Sequence, residues 1–396
     1  MVASPTDANA SRAIAIRIAL FYGAIFLILG VSLPYFPLWL KSEGLTALEI
    51  GLVTSVPLVI RIAATPLIGI AADRSGTVKG VVLTGAAVAL AAAVALGGAD
   101  GLLPILLFFT LFQVASLALM PLAEVVAMRE VRARGLDYGR MRLWGSIAFI
   151  AANLGGGFAI AGFGEASILV LVIGASFASL VAGAALPGQA SGKEARRRVS
   201  LGAMMRAVGR PELIVIMAAS GLIQAAHAVY YAFSAIHWQA LGIAETWFGL
   251  LWGVGVVAEV VLFAYAGQVL KRISALAMMA IGAVAGVVRW GLMALDPAFG
   301  VLVVLQLLHG LTFGATHLGV VHAIQERVEA DQAASAQSLH SALSSGIMMG
   351  GAMALAGWLY APLGGLSYLA MAALSGLGGL VVMWVFWRGG AARSAV

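Results

Sequence analysis

Of 396 residues, 62% are hydrophobic and only 10% are charged, and the mean hydropathy is +1.02. A water-soluble domain does not carry that balance, so lipid is the solvent for most of this chain. The absence of cysteine excludes disulfides and thiolate metal sites, and the net charge of +6 is explained below by where the basic residues stand, without nucleic acid.

A crossing takes about 20 apolar residues. Scanning for such runs predicts an all-α integral membrane protein with twelve transmembrane helices, near residues 13–40, 46–72, 78–97, 102–128, 142–163, 165–186, 211–240, 246–270, 274–294, 298–325, 333–361 and 363–387. The first run lacks a short apolar core with a small-residue cleavage site, so it reads as an uncleaved anchor. Of the 23 Lys and Arg, 20 are assigned to one side. By the positive-inside rule that side is cytoplasmic and holds both termini, as in a bacterial-type inner (cell) membrane. Lys41 lies opposite, and Arg61 and Arg289 fall inside runs.

The longest interruption, "PGQASGKEARRRVSLGAMMRAVGRP", is basic and central. It divides the chain into a six-helix half at 1–190, a linker at 191–210 and a second half at 211–396. A repeat supports the division. Without gaps, Gly51 aligns with Gly249, Gly69 with Gly267 and Arg74 with Arg272, all at an offset of 198 positions. In this register Gly69-x-x-x-Asp73-Arg74-x-Gly76 matches the loop signature of the major facilitator superfamily, and two pseudo-symmetric halves of six helices are its layout.

The same offset sets Arg61 against Glu259. A charge at mid-bilayer costs roughly 3 kcal/mol, so each needs a partner or a cavity. A salt bridge that merely orders the bundle is one reading; proton coupling is the other. Asp73 and Arg74, at the membrane surface, suit a cytoplasmic gate better than a ligand.

On the seventh helix Gln224, His227, Tyr231, Ser234 and Trp238 step by three and four, giving one polar stripe about 80° wide. The tenth helix repeats it with Gln306, His309, Phe313, Thr316 and His317, and the fourth more faintly with Gln113, Ser116, Met120 and Glu124. Rings such as Tyr231, Trp238, Trp252 and Phe313, with amides, imidazoles and an Arg clamp, suit a small molecule that is part apolar and part anionic. A sugar would also suit them. Tyr35, Phe36 and Trp39 read instead as packing.

"LDYGRMRLWGSIAFI", "QAAHAVYYAFSAIHWQALG", "LLWGVGVVAEVVLFA", "GVVRWGLMA" and "LQLLHGLTFGATHLG" resemble the phenylpropionate permease family of the major facilitator superfamily, over most of the chain. The family's named member imports 3-phenylpropionic acid with protons; the resemblance implies a twelve-helix importer related to the oligosaccharide-proton symporters and leaves the substrate open. It places Arg142, His227, Tyr231, Trp238, Glu259, Arg289, His309 and His317 on matching positions. His237 stands where an aromatic is expected, and the loop at 69–76 is closer to the general superfamily pattern.

The expected function is therefore secondary active transport by alternating access, with proton-coupled import of a small organic acid. The alternative is a sugar or oligosaccharide symporter, or a drug exporter, of the same fold. Substrate contacts fall to Gln224, His227, Tyr231, Trp238, Trp252, Arg289, His309 and Phe313, proton coupling to Glu259, Arg61 and His317, and gating to Asp73, Arg74 and Arg142. No enzyme is expected, since no nucleophile motif occurs and the loops are too short for a signalling domain. Nor is a nucleotide loop present. Protons are the coupling ion, no metal or other cofactor is expected, and the partners are a small-molecule substrate and membrane lipid, with no nucleic acid. A monomer is expected.

Overall fold

The computed structural model describes residues 5–75, 77–188, 210–329 and 332–394. The Asp73 side chain, Gly76 and most of the 191–210 linker lie outside the described residues. What is described is helical: α1 (Pro5–Ser42), α2 (Ala47–Arg74), α3 (Val78–Leu96), α4 (Leu102–Arg134), α5 (Tyr138–Phe163) and α6 (Ala166–Ala185). Then follow α7 in two pieces (Pro211–Ala225 and Ala228–Ala240), α8 (Phe248–Ala264) and α9 (Ala275–Met293). Next, α10 runs Phe299–Leu307 and Thr316–Arg327 around a π turn at Gly310–Ala315, and α11 runs Ala333–Ser341 and Met349–Leu363 around a second at Ala342–Met348. Finally α12 spans Tyr368–Ser394.

Among the described residues eleven helical runs are long and apolar enough to cross a membrane, the last being a 56-residue run, Ala333–Arg388. At 1.5 Å per residue that run is more than twice a hydrocarbon thickness of about 30 Å. It turns at Gly364, whose φ of +52° only glycine adopts without strain, and there it divides into α11 and α12. Twelve crossings result.

Several ends move from their expected places, for local reasons. The α5 helix begins at Tyr138, earlier than residue 142, because the Asp137 side chain accepts the Arg140 N–H and caps it. The α4 helix runs to Arg134 and stops at Gly135 in the left-handed conformation, φ +66°.

Two compact units form: Met1–Leu45, Ile60–Glu194 and Ala244–Leu250 in one, and Thr46–Val59, Ala195–Ile243 and Leu251–Val396 in the other. In the first, α1 packs on α5 and α6, and α3 on α4 and α6; Phe21, Tyr22, Val82, Ala86, Leu119 and Ala127 fill the core. Tyr35, Phe36 and Trp39 are buried there. Phe36 lies 4.6 Å from Phe109 between ring centroids, and the Tyr35 hydroxyl donates to the Asn153 carbonyl. In the second, α9 packs on α12 and α10, and α12 on α7, around Met217, Ile223, Met279, Val320 and Ala336. The start of α2 belongs to this second unit because Gly51 and Gly357 let α2 and α11 approach to backbone contact.

Candidate functional site

The site in the second unit starts from a broken helix. The first piece of α7 ends at Ala225, and His227 stands in the gap with its Nδ1 2.9 Å from the Gln224 carbonyl oxygen. The same carbonyl accepts the His227 backbone N–H at 3.1 Å, so the ring adds a second bond to it at the break. Across from it, the Gln224 amide donates at 3.2 Å to the Phe313 carbonyl in the π turn of α10, which also accepts the Thr316 N–H. Such turns are rare and concentrate at functional positions.

Between these breaks sits Arg289 of α9, 0% exposed. Its guanidinium donates to Gln306 Oε1 (2.8 Å), Thr312 Oγ1 (3.2 Å) and His309 Nδ1 (3.1 Å). The Tyr230 and Trp290 rings lie 4.8 and 4.5 Å from its central carbon, so the charge is screened by π faces as well as by hydrogen bonds. Among the described residues no carboxylate lies within ion-pair distance of it, and its Nε has no hydrogen-bond partner.

The partners assign every proton in this network. An arginine only donates, so His309 Nδ1 accepts and the imidazole carries its hydrogen on Nε2. That Nε2 stands 3.6 Å from Glu259 Oε2, within ion-pair range but long for a hydrogen bond. On the other side the Gln224 carbonyl only accepts, so His227 donates from Nδ1. Its Nε2, 3.0 Å from Thr312 Oγ1, then accepts the threonine hydroxyl. Hydrogens point outward from Arg289 in both directions, and Glu259 is the acidic end.

Glycines bring Glu259 there. A Cβ at Gly310 would stand 2.9 Å from the Ala258 carbonyl oxygen, one at Gly314 3.0 Å from Leu262 Cδ2, and one at Gly255 3.1 Å from His309 Cβ. Substituting Gly310→Ala must therefore push α8 off α10, an overpacking cost of about 1–3 kcal/mol. A displacement of that kind at a reacting group costs about tenfold or more in rate, so transport is expected to fall by that factor in an uptake assay, with a lower melting temperature. Gly291→Ala, which meets nothing within 4 Å, should change neither.

Rings line the network. His309 stacks on Phe313 (5.5 Å, 10°) and Phe313 on His317 (6.0 Å, 8°). In an α-helix four residues overshoot a full turn by about 40°; the wider π turn takes up that excess and brings the three rings nearly parallel. Trp252 stacks on Tyr230 (4.5 Å) and on Tyr231 (5.8 Å).

The expected substrate residues thus divide. Gln224, His227, Trp238, Trp252, Arg289 and His309 are buried, while Tyr231 and Phe313 are partly open, as is Glu259, whose side chain is 21% exposed. Trp238 packs on Tyr230 at 6.0 Å. His317 is exposed. Arg289 is fully buried, with His309 between it and Glu259. Tyr230, Trp290 and Thr312 were not expected here at all. His237 ties helix ends together, with Nε2 2.7 Å from Asp296 Oδ1 and Nδ1 3.2 Å from the Tyr360 hydroxyl.

In the first unit the gating candidate Arg142 lies over Phe26 (4.1 Å) and Tyr22 (5.6 Å) and 3.9 Å from Glu124. The Tyr138 hydroxyl donates to the same carboxylate at 3.1 Å. Arg61, on α2, is half-buried, and Arg74 is exposed at the end of that helix. Asp73 cannot be placed beside Arg74, since its side chain is outside the described residues. Among the described residues no three His, Asp or Glu converge as metal ligands.

Residues 15–368 match the model of the MFS_1 like family. The chain belongs to that family. A protein of Escherichia coli (strain K12) named "Probable 3-phenylpropionic acid transporter" is 34% identical over 88% of this chain and 91% of its own length. A protein named maltose permease, from Geobacillus stearothermophilus, is 29% identical over 83% of each chain. In fold, the nucleoside transporter NupG superposes with a TM-score of 0.83 at 17% identity, covering 94% of this chain and 99% of NupG. A bacterial homologue of the lysosomal transporter Spinster superposes at 0.71 and 14%, covering 97% and 99%. The fold is that of the major facilitator superfamily, and this MFS_1 like protein is a multi-pass membrane protein and a secondary transporter.

Proposed function

We propose that this transporter imports a small organic acid, such as 3-phenylpropionate, together with a proton. The observation that carries the reading is Glu259, one imidazole away from a buried arginine that has no carboxylate of its own. With Glu259 ionised and the site empty, the Arg289 and Glu259 charges cancel. An acid anion entering beside them adds a second negative charge to one positive charge. Taking a proton onto Glu259 restores the balance, and the loaded site crosses the low-dielectric bilayer as neutral as the empty one. Anion and proton are coupled because neither loads well without the other.

The partly open rings of Tyr231 and Phe313 suit an aryl group, and the name of the Escherichia coli relative points to an aryl acid. The basic side of the chain supports cytoplasmic termini in an inner membrane. Rocking of the halves 1–190 and 211–396 about their linker would expose the site alternately, with Asp73, Arg74 and Arg142 as gate residues. A sugar substrate is the second reading, supported by the relative named maltose permease.

Uptake of radiolabelled 3-phenylpropionate, other aryl acids and sugars into proteoliposomes, with and without an inward proton gradient, tests the proposal. Gradient-dependent accumulation of an acid is the expected result. Flux of sugar alone, or acid flux indifferent to the gradient, would overturn it.

A further inference from the structure

The two rings against the Arg289 guanidinium, Tyr230 and Trp290, meet at 40° with their centroids 6.0 Å apart. They form a corner that holds it. Each ring is backed by another: Tyr230 by Trp238 at 6.0 Å and 69°, and Trp290 by Tyr368, at the start of α12, at 6.0 Å and 10°. The Trp290 indole nitrogen and the Tyr368 hydroxyl are buried without hydrogen-bond partners, so packing holds those two rings in place. Both rows lead to His237. Its ring stands edge-on to Tyr368 at 6.2 Å and 65°. Along the chain it adjoins Trp238, whose side chain leaves α7 about 100° away from its own. His237 therefore faces the α11–α12 turn while Trp238 faces Tyr230. The contacts close into a circuit that begins and ends at the guanidinium.

Unlike Trp290 and Tyr368, His237 is tied at both ring nitrogens, to Asp296 at 2.7 Å and to the Tyr360 hydroxyl at 3.2 Å. The carboxylate only accepts, so Nε2 donates to it. Tyr360 is fixed in turn, stacked on Phe233 of α7 at 4.3 Å and 10°. The backbone is bent to make the link. Asp296 has a φ of +48°, the one described residue other than glycine in the left-handed region, where a Cβ is crowded. Pro297 after it favours extended backbone at Asp296 instead. Such a conformation persists where its surroundings over-determine it. Here the α11–α12 turn closes over the bond: a Cβ at Gly365 would stand 2.7 Å from both Asp296 Oδ1 and His237 Cε1.

We propose that His237, anchored by Asp296, is a positioning residue for anion binding at Arg289. The inference rests on the reading above, in which Arg289 attracts the substrate carboxylate. Through Trp238 the imidazole fixes Tyr230, and through Tyr368 it fixes Trp290, so both walls of the corner are set from one place. With the corner fixed, the planar fork keeps the orientation in which it reaches Gln306, Thr312 and His309 at once. The anchor itself is wet, since the Asp296 side chain is 46% exposed, whereas the group it serves is fully buried. A remote support of this kind matters because displacing a binding group by about 1 Å costs up to about a hundredfold.

His237→Phe keeps a ring against Tyr368 and removes both hydrogen bonds, while His237→Gln keeps an N–H donor for Asp296. Asp296→Ala breaks the link from its exposed end and serves if His237→Phe folds poorly. Calorimetry on the purified full-length transporter measures affinity for 3-phenylpropionate and for its neutral amide. His237→Phe should weaken binding of the acid by about tenfold and of the amide by less than about twofold. His237→Gln should restore the acid to within about twofold of wild type. Combining His237→Phe with Asp296→Ala should cost the acid no more than the larger single loss, because both cut one link. Wild-type acid affinity in the folded variants would overturn the proposal, as would additive losses. Equal loss of acid and amide would also overturn it, since His237 would then hold the packing of the unit and not the aim of Arg289. If the wild-type protein does not prefer acid to amide, or Arg289→Met leaves the preference unchanged, the anion-binding reading fails and the positioning role with it, an outcome that needs no His237 variant.

Discussion

Replacing Glu259 by Gln should abolish accumulation against a gradient while leaving exchange intact. The amide is a standing mimic of the protonated carboxyl, so the site can take its anion without waiting for a proton. Wild-type affinity for the acid should weaken by about tenfold per pH unit once Glu259 is ionised, because one proton binds with each anion. The variant should hold the tight, low-pH affinity throughout. The size of the effect follows from the charges. A second carboxylate about 4 Å from the first is repelled by ~4 kcal/mol at an effective dielectric of 20, close to a thousandfold in affinity. Water at the partly open Glu259 side chain reduces this, so about a hundredfold between acid and neutral pH is the expected wild-type span. Binding measured by tryptophan fluorescence or calorimetry from pH 5 to 8, beside proteoliposome exchange, checks it. A pH slope that survives in Glu259→Gln, or accumulation that survives, would place the coupling proton elsewhere.

Much of this arrangement was legible before any coordinates. Ionisable residues inside a membrane span are costly, which singles out Arg61 and Arg289, and the repeat sets Glu259 against Arg61. The 198-residue offset and the count of apolar runs gave the helices. What the sequence hid was local geometry. Nothing in "QAAHA" announces a break, since alanines favour helix; at the gap the imidazole bridges the Gln224 carbonyl and Thr312. A stripe drawn at 100° per residue crosses the π turn of α10 wrongly, so Thr312 fell off the predicted face although it touches both Arg289 and His227. On α7 the three-and-four stepping from His227 selects Tyr231, yet it is its neighbour Tyr230 that covers the guanidinium. Burial is also invisible to periodicity. The same stripe holds Trp238, at 1% exposure, and the partly open Tyr231.

Arg289→Met should remove anion selectivity, and with it the reason for a proton. Methionine follows the aliphatic stem and can lie between Tyr230 and Trp290, but it donates nothing to Gln306, Thr312 or His309. Losing one member of a charge pair in a desolvated site costs about 2–5 kcal/mol in binding, so affinity for 3-phenylpropionate should fall roughly 30-fold to more than a thousandfold. A neutral analogue, the corresponding amide, should lose far less. That ratio separates lost charge from lost shape, because a site merely collapsed by the substitution would reject acid and amide alike. Arg289→Lys should recover only part of the affinity, since an ammonium cannot reproduce the planar fork that reaches three acceptors while stacked between two rings. The decisive comparison adds Glu259→Gln to Arg289→Met. If the two charges balance one another, the pair of substitutions should cost less in melting temperature than the sum of the single ones, by a coupling of about 0.5–3 kcal/mol. Strict additivity would mean that Arg289 and Glu259 do not sense each other through His309, and the charge exchange proposed for transport would have no physical basis.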